Sequence, residues 1–179
     1  MSVFFINPFS FAAADGDYES IATVTVGSGG AASVQFSSIP STYQHLQWRG
    51  IFKATASNGG TPRLSINGTN LGQYHHLAGD GSAIGGYGIA ASDANFFGLG
   101  LQKTGPFSAF VCDILDYTST SKNKVLRVFA GADDNSAGSV YLFSMLWQST
   151  SAITSLTLTP QSANWVQHST FALYGIKAP

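Results

Sequence analysis

The sequence predicts an all-β protein, an antiparallel β-sandwich of jelly-roll type with an extended N-terminal arm. Apolar and polar residues alternate with a period of two along most of the chain, as in strands with one buried face. Short clusters of glycine, asparagine and serine separate these segments, and no convincing amphipathic helix of ten residues occurs. We assign residues 1–16 to the arm and residues 17–179 to a single sandwich domain, because 179 residues suit one domain.

The pattern of alternation and turns indicates about eight to ten strands. In the segment 18–26, Ile21 is out of phase with Val24 and Val26, and in the segment 45–54 a glycine, Gly50, predicts either a bulge or close packing. Asn67 and Gly68 predict a hairpin turn. Residues 78–107 are predicted to be irregular. The other predicted strands are 32–36, 109–117, 124–133, 139–148, 153–160 and 169–177.

The charge composition excludes several classes of function. Only 9% of the residues are charged, against about 25% in typical soluble proteins. The formal net charge of −1 argues against nucleic-acid binding, which depends on neutralising phosphates. No apolar run approaches the length of a membrane-spanning helix, and the N-terminal segment lacks a basic region, so we expect neither a membrane anchor nor a leader. Weak self-repulsion is typical of subunits in an assembly.

Few residues are suited to catalysis or metal binding. His75 and His76 are adjacent on a predicted strand and therefore face opposite ways, and Cys112 is the only cysteine. Asp113 and Asp116 do not have the spacing of a glycosidase carboxylate pair on one strand. Nucleophile-elbow, phosphate-loop and zinc-protease motifs are absent from the sequence. We therefore expect no enzyme activity, no cofactor and no metal.

Aromatic residues are the remaining candidates for ligand contact. Trp48 and Trp147 lie in apolar segments and are predicted to belong to the core. Trp165 lies in a polar segment and is the best candidate for an exposed aromatic, although packing beneath a loop is an equally good prediction. Tyr87, in the irregular region, is the second candidate for contact with a glycan.

The N-terminal arm is strongly apolar, with Phe4, Phe5, Ile6, Phe9 and Phe11 grouped around a proline. Side chains of this size bury a large apolar area when they pack, so they are not expected to stay in water. Two predictions remain open. The arm either folds back over its own sandwich as an extra edge strand or docks on a neighbouring protein.

Several stretches in a characteristic order resemble a β-structured module of tailed-bacteriophage virions. The resemblance extends over about residues 18–178 and does not rest on any single motif. The stretches are Ile39-Pro-Ser-Thr-Tyr-Gln-His-Leu-Gln-Trp-Arg-Gly50, His76-Leu-Ala-Gly-Asp-Gly-Ser82, Ile114-Leu-Asp-Tyr117 with Lys122-Asn-Lys124, Leu146-Trp-Gln-Ser-Thr-Ser-Ala-Ile-Thr-Ser-Leu-Thr-Leu158 and Phe171-Ala-Leu-Tyr-Gly-Ile-Lys177.

This resemblance implies a non-enzymatic virion component, commonly trimeric, in either capsid decoration or a host-contacting appendage. The sequence shows no collagen-like repeat or heptad stalk, which favours decoration over a fibre. The expected partners are then the major capsid protein and the chain itself as a homotrimer, on the capsid exterior. The alternative is a tail-fibre or tail-tip receptor-binding protein that contacts host glycan through Trp165, Tyr87 and the loop 78–107. A glycan-active enzyme is the third hypothesis, and the lack of a carboxylate pair argues against it.

Overall fold

The computed structural model describes residues 16–55, 62–90, 106–133, 138–161 and 163–177, and every regular element among them is a β-strand. The strands are β1 (Tyr18–Thr25), β2 (Val34–Phe36), β3 (His45–Phe52), β4 (Arg63–Ile66), β5 (Thr69–Asn70), β6 (Gln73–Gly79), β7 (Ile84–Ala90), β8 (Ser108–Ile114), β9 (Lys124–Asp133), β10 (Gly138–Trp147), β11 (Leu156–Thr159) and β12 (Thr170–Ile176).

These strands form two antiparallel sheets of unequal size. The larger has eight strands in the order β1-β12-β3-β8-β9-β10-β6-β7, and the smaller has four in the order β2-β11-β4-β5. Every pairing between the strands is antiparallel. The predicted all-β sandwich is therefore confirmed, whereas the jelly-roll connectivity stays a prediction.

The hydrophobic core lies between the two sheets. Phe36 of the small sheet meets Trp48 of the large sheet edge to face, with ring centroids 5.5 Å apart. Along β3, Leu46, Trp48 and Phe52 are fully buried while Ile51 is exposed, which confirms the core position predicted for Trp48. The burial of these large side chains stabilises the packing of the two sheets, because apolar area is removed from water.

Two local irregularities noticed in the sequence have different structural causes. The pairing of β1 with β12 shifts register between Ser20 and Ala22, which explains why Ile21 breaks the alternation. At Gly50, by contrast, the pairing with both neighbouring strands is regular. A Cβ atom there would lie 2.4 Å from the ring of Phe110. The prediction of close packing at Gly50 is therefore confirmed, and the prediction of a bulge is wrong.

The structure confirms one predicted turn and corrects two predicted boundaries. Asn67 and Gly68 have φ angles of +50° and +77°, the two positive values expected of a type I′ hairpin turn. The strand predicted to reach residue 117 ends at Ile114, and Asp116 lies in a turn with φ +46°. The irregular region 78–107 contains β7, which pairs along its whole length with β6. Its glycines hide the alternation, because they carry no side chain.

Candidate interaction surface on the eight-stranded sheet

The large sheet turns one face to the core and the other away from the small sheet, and we call the second the outer face. Most of the exposed large apolar side chains of the described residues lie on it. The members with the clearest exposure are Ile51, Leu77, Ile84, Phe129, Val140 and Leu142. Scattered exposed apolar residues are ordinary on a protein surface, but a continuous group of this kind marks a contact surface.

The centre of the outer face is a row of four apolar side chains on adjacent strands, which we call the apolar stripe. In the sheet register, Val111 is opposite Phe129, Phe129 is opposite Leu142, and Leu142 is opposite Leu77. Residues directly opposite each other on one face have Cβ atoms about 4.5–5.5 Å apart, so the side chains lie against one another. The exposed fractions of Phe129, Leu142 and Leu77 are 59%, 54% and 53%.

A second row, two residues along each strand, alternates large apolar side chains with small ones. Ile51 and Val140 are both more than half exposed, whereas Ala109 and Gly131 stand between them in register. The small residues leave two shallow depressions beside the stripe. One, of about 300 Å³, is lined by residues that include Ala109 and Ala172, and the other, of about 450 Å³, by residues that include Gly79 and Gly131.

A polar row borders the stripe on its other side. Gln47 donates a hydrogen bond from Nε2 to Oδ1 of Asp113 at 2.7 Å, and Arg49 donates from Nε to Oε1 of Gln47 at 2.6 Å. In the register, Asp113 is opposite Arg127, and Arg127 is opposite Ser144. Both signs of charge therefore occur side by side along this border.

Two tyrosines hold Arg49, which is opposite Val111 at the end of the apolar stripe and next to the polar row. Its guanidinium carbon lies 5.3 Å from the ring centroids of both Tyr18 and Tyr174, within range of a cation–π contact. The Tyr18 hydroxyl donates to Gln47, and partial burial raises the pKa of Tyr18 above its ordinary value. The side chains around Arg49 are therefore ordered by one another.

The predicted glycan contact at Trp165 is wrong. Trp165 is fully buried, its ring lies 5.3 Å from those of Phe52 and Phe171, and its Nε1 donates to the Leu158 carbonyl at 3.3 Å. Its backbone bridges to Ala31 and draws the surrounding loop onto the sandwich. The polar residues next to Trp165 in sequence indicate that the loop is exposed, but the indole side chain turns inward. The prediction that Trp165 packs beneath a loop is therefore confirmed.

Tyr87 is exposed, as its proposed role requires, but it stands apart from Trp165. Its side chain is 54% exposed on β7, an edge strand of the large sheet, and its ring lies 5.6 Å from that of His76. His76 faces the core side with Tyr87, and burial lowers its pKa. Trp165, by contrast, packs against β3 and β12, so the structure does not bring the two aromatics into one site.

The titratable groups of the described residues do not converge on a metal position, since no cluster of three histidine, cysteine or carboxylate side chains occurs among them. Cys112 is enclosed in the core, and burial raises the pKa of its thiol well above the ordinary value. The described part of the chain contains no helix with the length and hydrophobicity that a membrane span requires. The candidate arm residues, Phe4, Phe5, Ile6, Phe9 and Phe11, lie outside the described residues.

The apolar stripe was missed in the sequence, although a signal for it is present. Strand β9 carries Leu126 and Val128 on its core side and also Val125 and Phe129 on its outer side. A strand that is apolar on both faces predicts that both faces are covered. Read in this way, β9 indicates a second contact surface beyond the core.

Comparison of the chain with known protein families, with curated proteins and with solved structures gave no match. An apolar centre with a hydrogen-bonded, charged border is the composition of a protein–protein contact, in which the core excludes water and the rim stays polar.

Proposed function

We propose that the protein is a non-enzymatic structural component of a phage virion, a decoration protein that binds the outer capsid surface as a homotrimer and stabilises the shell. The observation that carries the proposal is the apolar stripe. Soluble monomers rarely expose a continuous apolar surface of this kind, because water makes it unfavourable. A chain with this surface and only 9% charged residues has the surface properties of a subunit in an assembly.

The resemblance to tailed-phage virion modules supports the same proposal from the sequence. In this role, contacts between the protein and the shell would help the shell to resist internal pressure. Each Å² of apolar surface buried in these contacts contributes about 25 cal/mol of free energy before the costs of association. The major capsid protein is then the expected partner, and the capsid exterior is the expected location.

Co-sedimentation with capsids stripped of the protein tests this proposal directly. The purified protein is mixed with stripped capsids, pelleted, and examined by negative-stain imaging. We expect saturable binding at regular lattice positions. Binding that does not saturate, or no binding, would contradict the decoration role.

Deletion of residues 1–14 tests whether the arm makes the attachment. We expect the truncated protein to keep the sandwich, measured by its circular dichroism spectrum and unfolding transition, and to lose capsid binding. Undiminished decoration by the truncated protein would show that another surface binds the shell. The five apolar arm residues could then be reassigned to the protein's own fold.

A receptor-binding role in a tail is the second candidate, and the exposure of Tyr87 favours it. An exposed tyrosine beside a histidine ring is a surface on which a sugar can stack. Binding to a glycan array that is lost in Tyr87→Ala and kept in Phe129→Thr would support this role. Trp165 has no part in it, because it is buried.

A further inference from the structure

We infer that the outer face of the large sheet is the surface through which copies of this chain pack on one another. The inference deepens the homotrimer of the proposed function by naming its interface, and to that extent it rests on that proposal. Its experiment uses no capsids, so the interface and the decoration role can fail separately.

The size of the outer face suits a second copy. Eight strands spaced about 4.8 Å apart and about seven residues long span about 34 by 23 Å, or about 800 Å², which is the area that each partner contributes to a standard protein–protein interface. A single extended segment, such as the arm, covers only the width of one or two strands. In a closed homotrimer each copy contacts both of the others, so one side of this face packs on the other side of the next copy's face around a three-fold axis.

The outer face carries both projecting side chains and depressions, so its shape is complementary to the same face of another copy. Phe129 and Leu142 project from the stripe with more than half of their surface exposed. Next to them, the depression of about 300 Å³ lined by Ala109 and Ala172 is apolar. A copy of the chain therefore supplies both the projecting side chains and a space that receives them, which gives the close packing found at interface centres.

The charges at the border favour the same occupant. Asp113 and Arg127 are neighbours in the register, and Arg49 stands one row away. A surface with both signs is complementary to another copy of itself. It does not suit a partner of a single sign, such as a nucleic acid or an anionic membrane, which would require a basic patch.

The oligomeric state of the full chain tests the inference. Its mass is measured by light scattering after size exclusion and by sedimentation velocity, from about 1 to about 100 µM. We expect an oligomer in the wild type and its loss in Phe129→Asp, with the dissociation constant raised at least about 100-fold, because an unpaired carboxylate would be buried. Tyr87→Asp is the matched control, since Tyr87 is equally exposed but lies on the other face. It should keep the oligomer.

Two more conservative variants test whether loss of the oligomer could result from misfolding. Phe129→Thr and Leu142→Thr keep a strand-forming residue on the surface of the monomer and remove the apolar contact. We expect both to weaken the oligomer while the unfolding transition of the dilute monomer is unchanged. A wild type that is monomeric at every concentration would overturn the inference. So would an oligomer that survives all of these substitutions, and its loss on deletion of residues 1–14 would then assign assembly to the arm.

Discussion

Gly50 and Phe110 are opposite each other on β3 and β8, and the Phe110 ring occupies the space where a side chain at position 50 would be. A Cβ atom on Gly50 would lie 2.4 Å from Cε1 of Phe110 and 3.0 Å from the ring of Phe171. The Phe110 ring is held in this place by Trp48 and Phe52, with centroids 5.9 and 5.8 Å away. The glycine is therefore required by the packing of the aromatic core.

The substitution Gly50→Ala should destabilise the fold by about 1–3 kcal/mol, because the added methyl group forces the Phe110 ring away from its packed position. Urea unfolding measures the change. Gly85→Ala is the control, since a Cβ atom at Gly85 meets nothing within 4 Å, and its effect should stay within about 0.5 kcal/mol. Equal stability of the two variants would contradict the packing argument.

Asn67 ties the β4–β5 turn to the loop before β11. Its Nδ2 donates to the Ala152 carbonyl at 2.8 Å, and its Oδ1 accepts from the backbone N–H groups of Thr154 and Ser155 at 2.9 and 3.0 Å. Asn67→Ala should lower the free energy of unfolding by about 2–3 kcal/mol, through lost hydrogen bonds and a positive φ that alanine disfavours. Guanidinium unfolding provides the measurement.

The two causes at Asn67 can be separated by one further variant. Asn67→Gly removes the hydrogen bonds but accepts the positive φ, so it should be more stable than Asn67→Ala and less stable than the wild type. Asn70→Ala, in the exposed strand that follows, is the control and should change little. If Asn67→Gly had the same free energy of unfolding as the wild type, only the backbone conformation at this position would contribute to stability.

Lys124 is a fully buried lysine whose ammonium group holds the preceding loop. Its Nζ donates to the carbonyls of Ser119 and Lys122 at 2.6 and 3.0 Å, and burial lowers its pKa. Lys124→Ala should destabilise the protein by about 2–4 kcal/mol, because it leaves a cavity and unpaired carbonyl groups. Lys122→Ala, which removes an exposed lysine, should cost at most about 1 kcal/mol. Thermal unfolding of both variants gives the comparison.

Asp116 should make the stability of the protein depend on pH in the acidic range. Its carboxylate accepts a hydrogen bond from Lys122, which lowers the pKa of Asp116 below its ordinary value of 3.8, and the Lys122 charge acts in the same direction. A carboxyl group with a lowered pKa in the folded state stabilises the fold above the ordinary value, and this contribution is lost as the pH falls through the folded-state pKa.

The substitution Asp116→Asn should therefore flatten the loss of stability between about pH 5 and about pH 2, measured by urea unfolding at each pH. Asparagine tolerates the positive φ at this position, so the backbone is not strained. Lys122→Ala should flatten the same part of the curve, since it removes the group that lowers the pKa. An acid transition that is unchanged in both variants would show that the pair does not contribute.

The sequence predicted the elements that depend on neighbours along the chain. The alternation from residue 124 to residue 133 corresponds to β9, and Asn67–Gly68 corresponds to a turn with two positive φ angles. Both features are local, because side chains alternate across any strand and the turn requires specific residue types. The burial of Trp48 and Trp147 likewise followed from the apolar segments around them.

The tertiary structure alone decided which residues became surface and which became core. Trp165 is buried because its loop bridges to Ala31 and lies against Phe52, contacts between segments far apart in sequence. Phe129 and Leu142 form a stripe because β9 and β10 are central strands whose second face the small sheet does not cover. Period-two alternation separates the two faces of a strand, but the order of the strands and the place of the second sheet determine which face meets water.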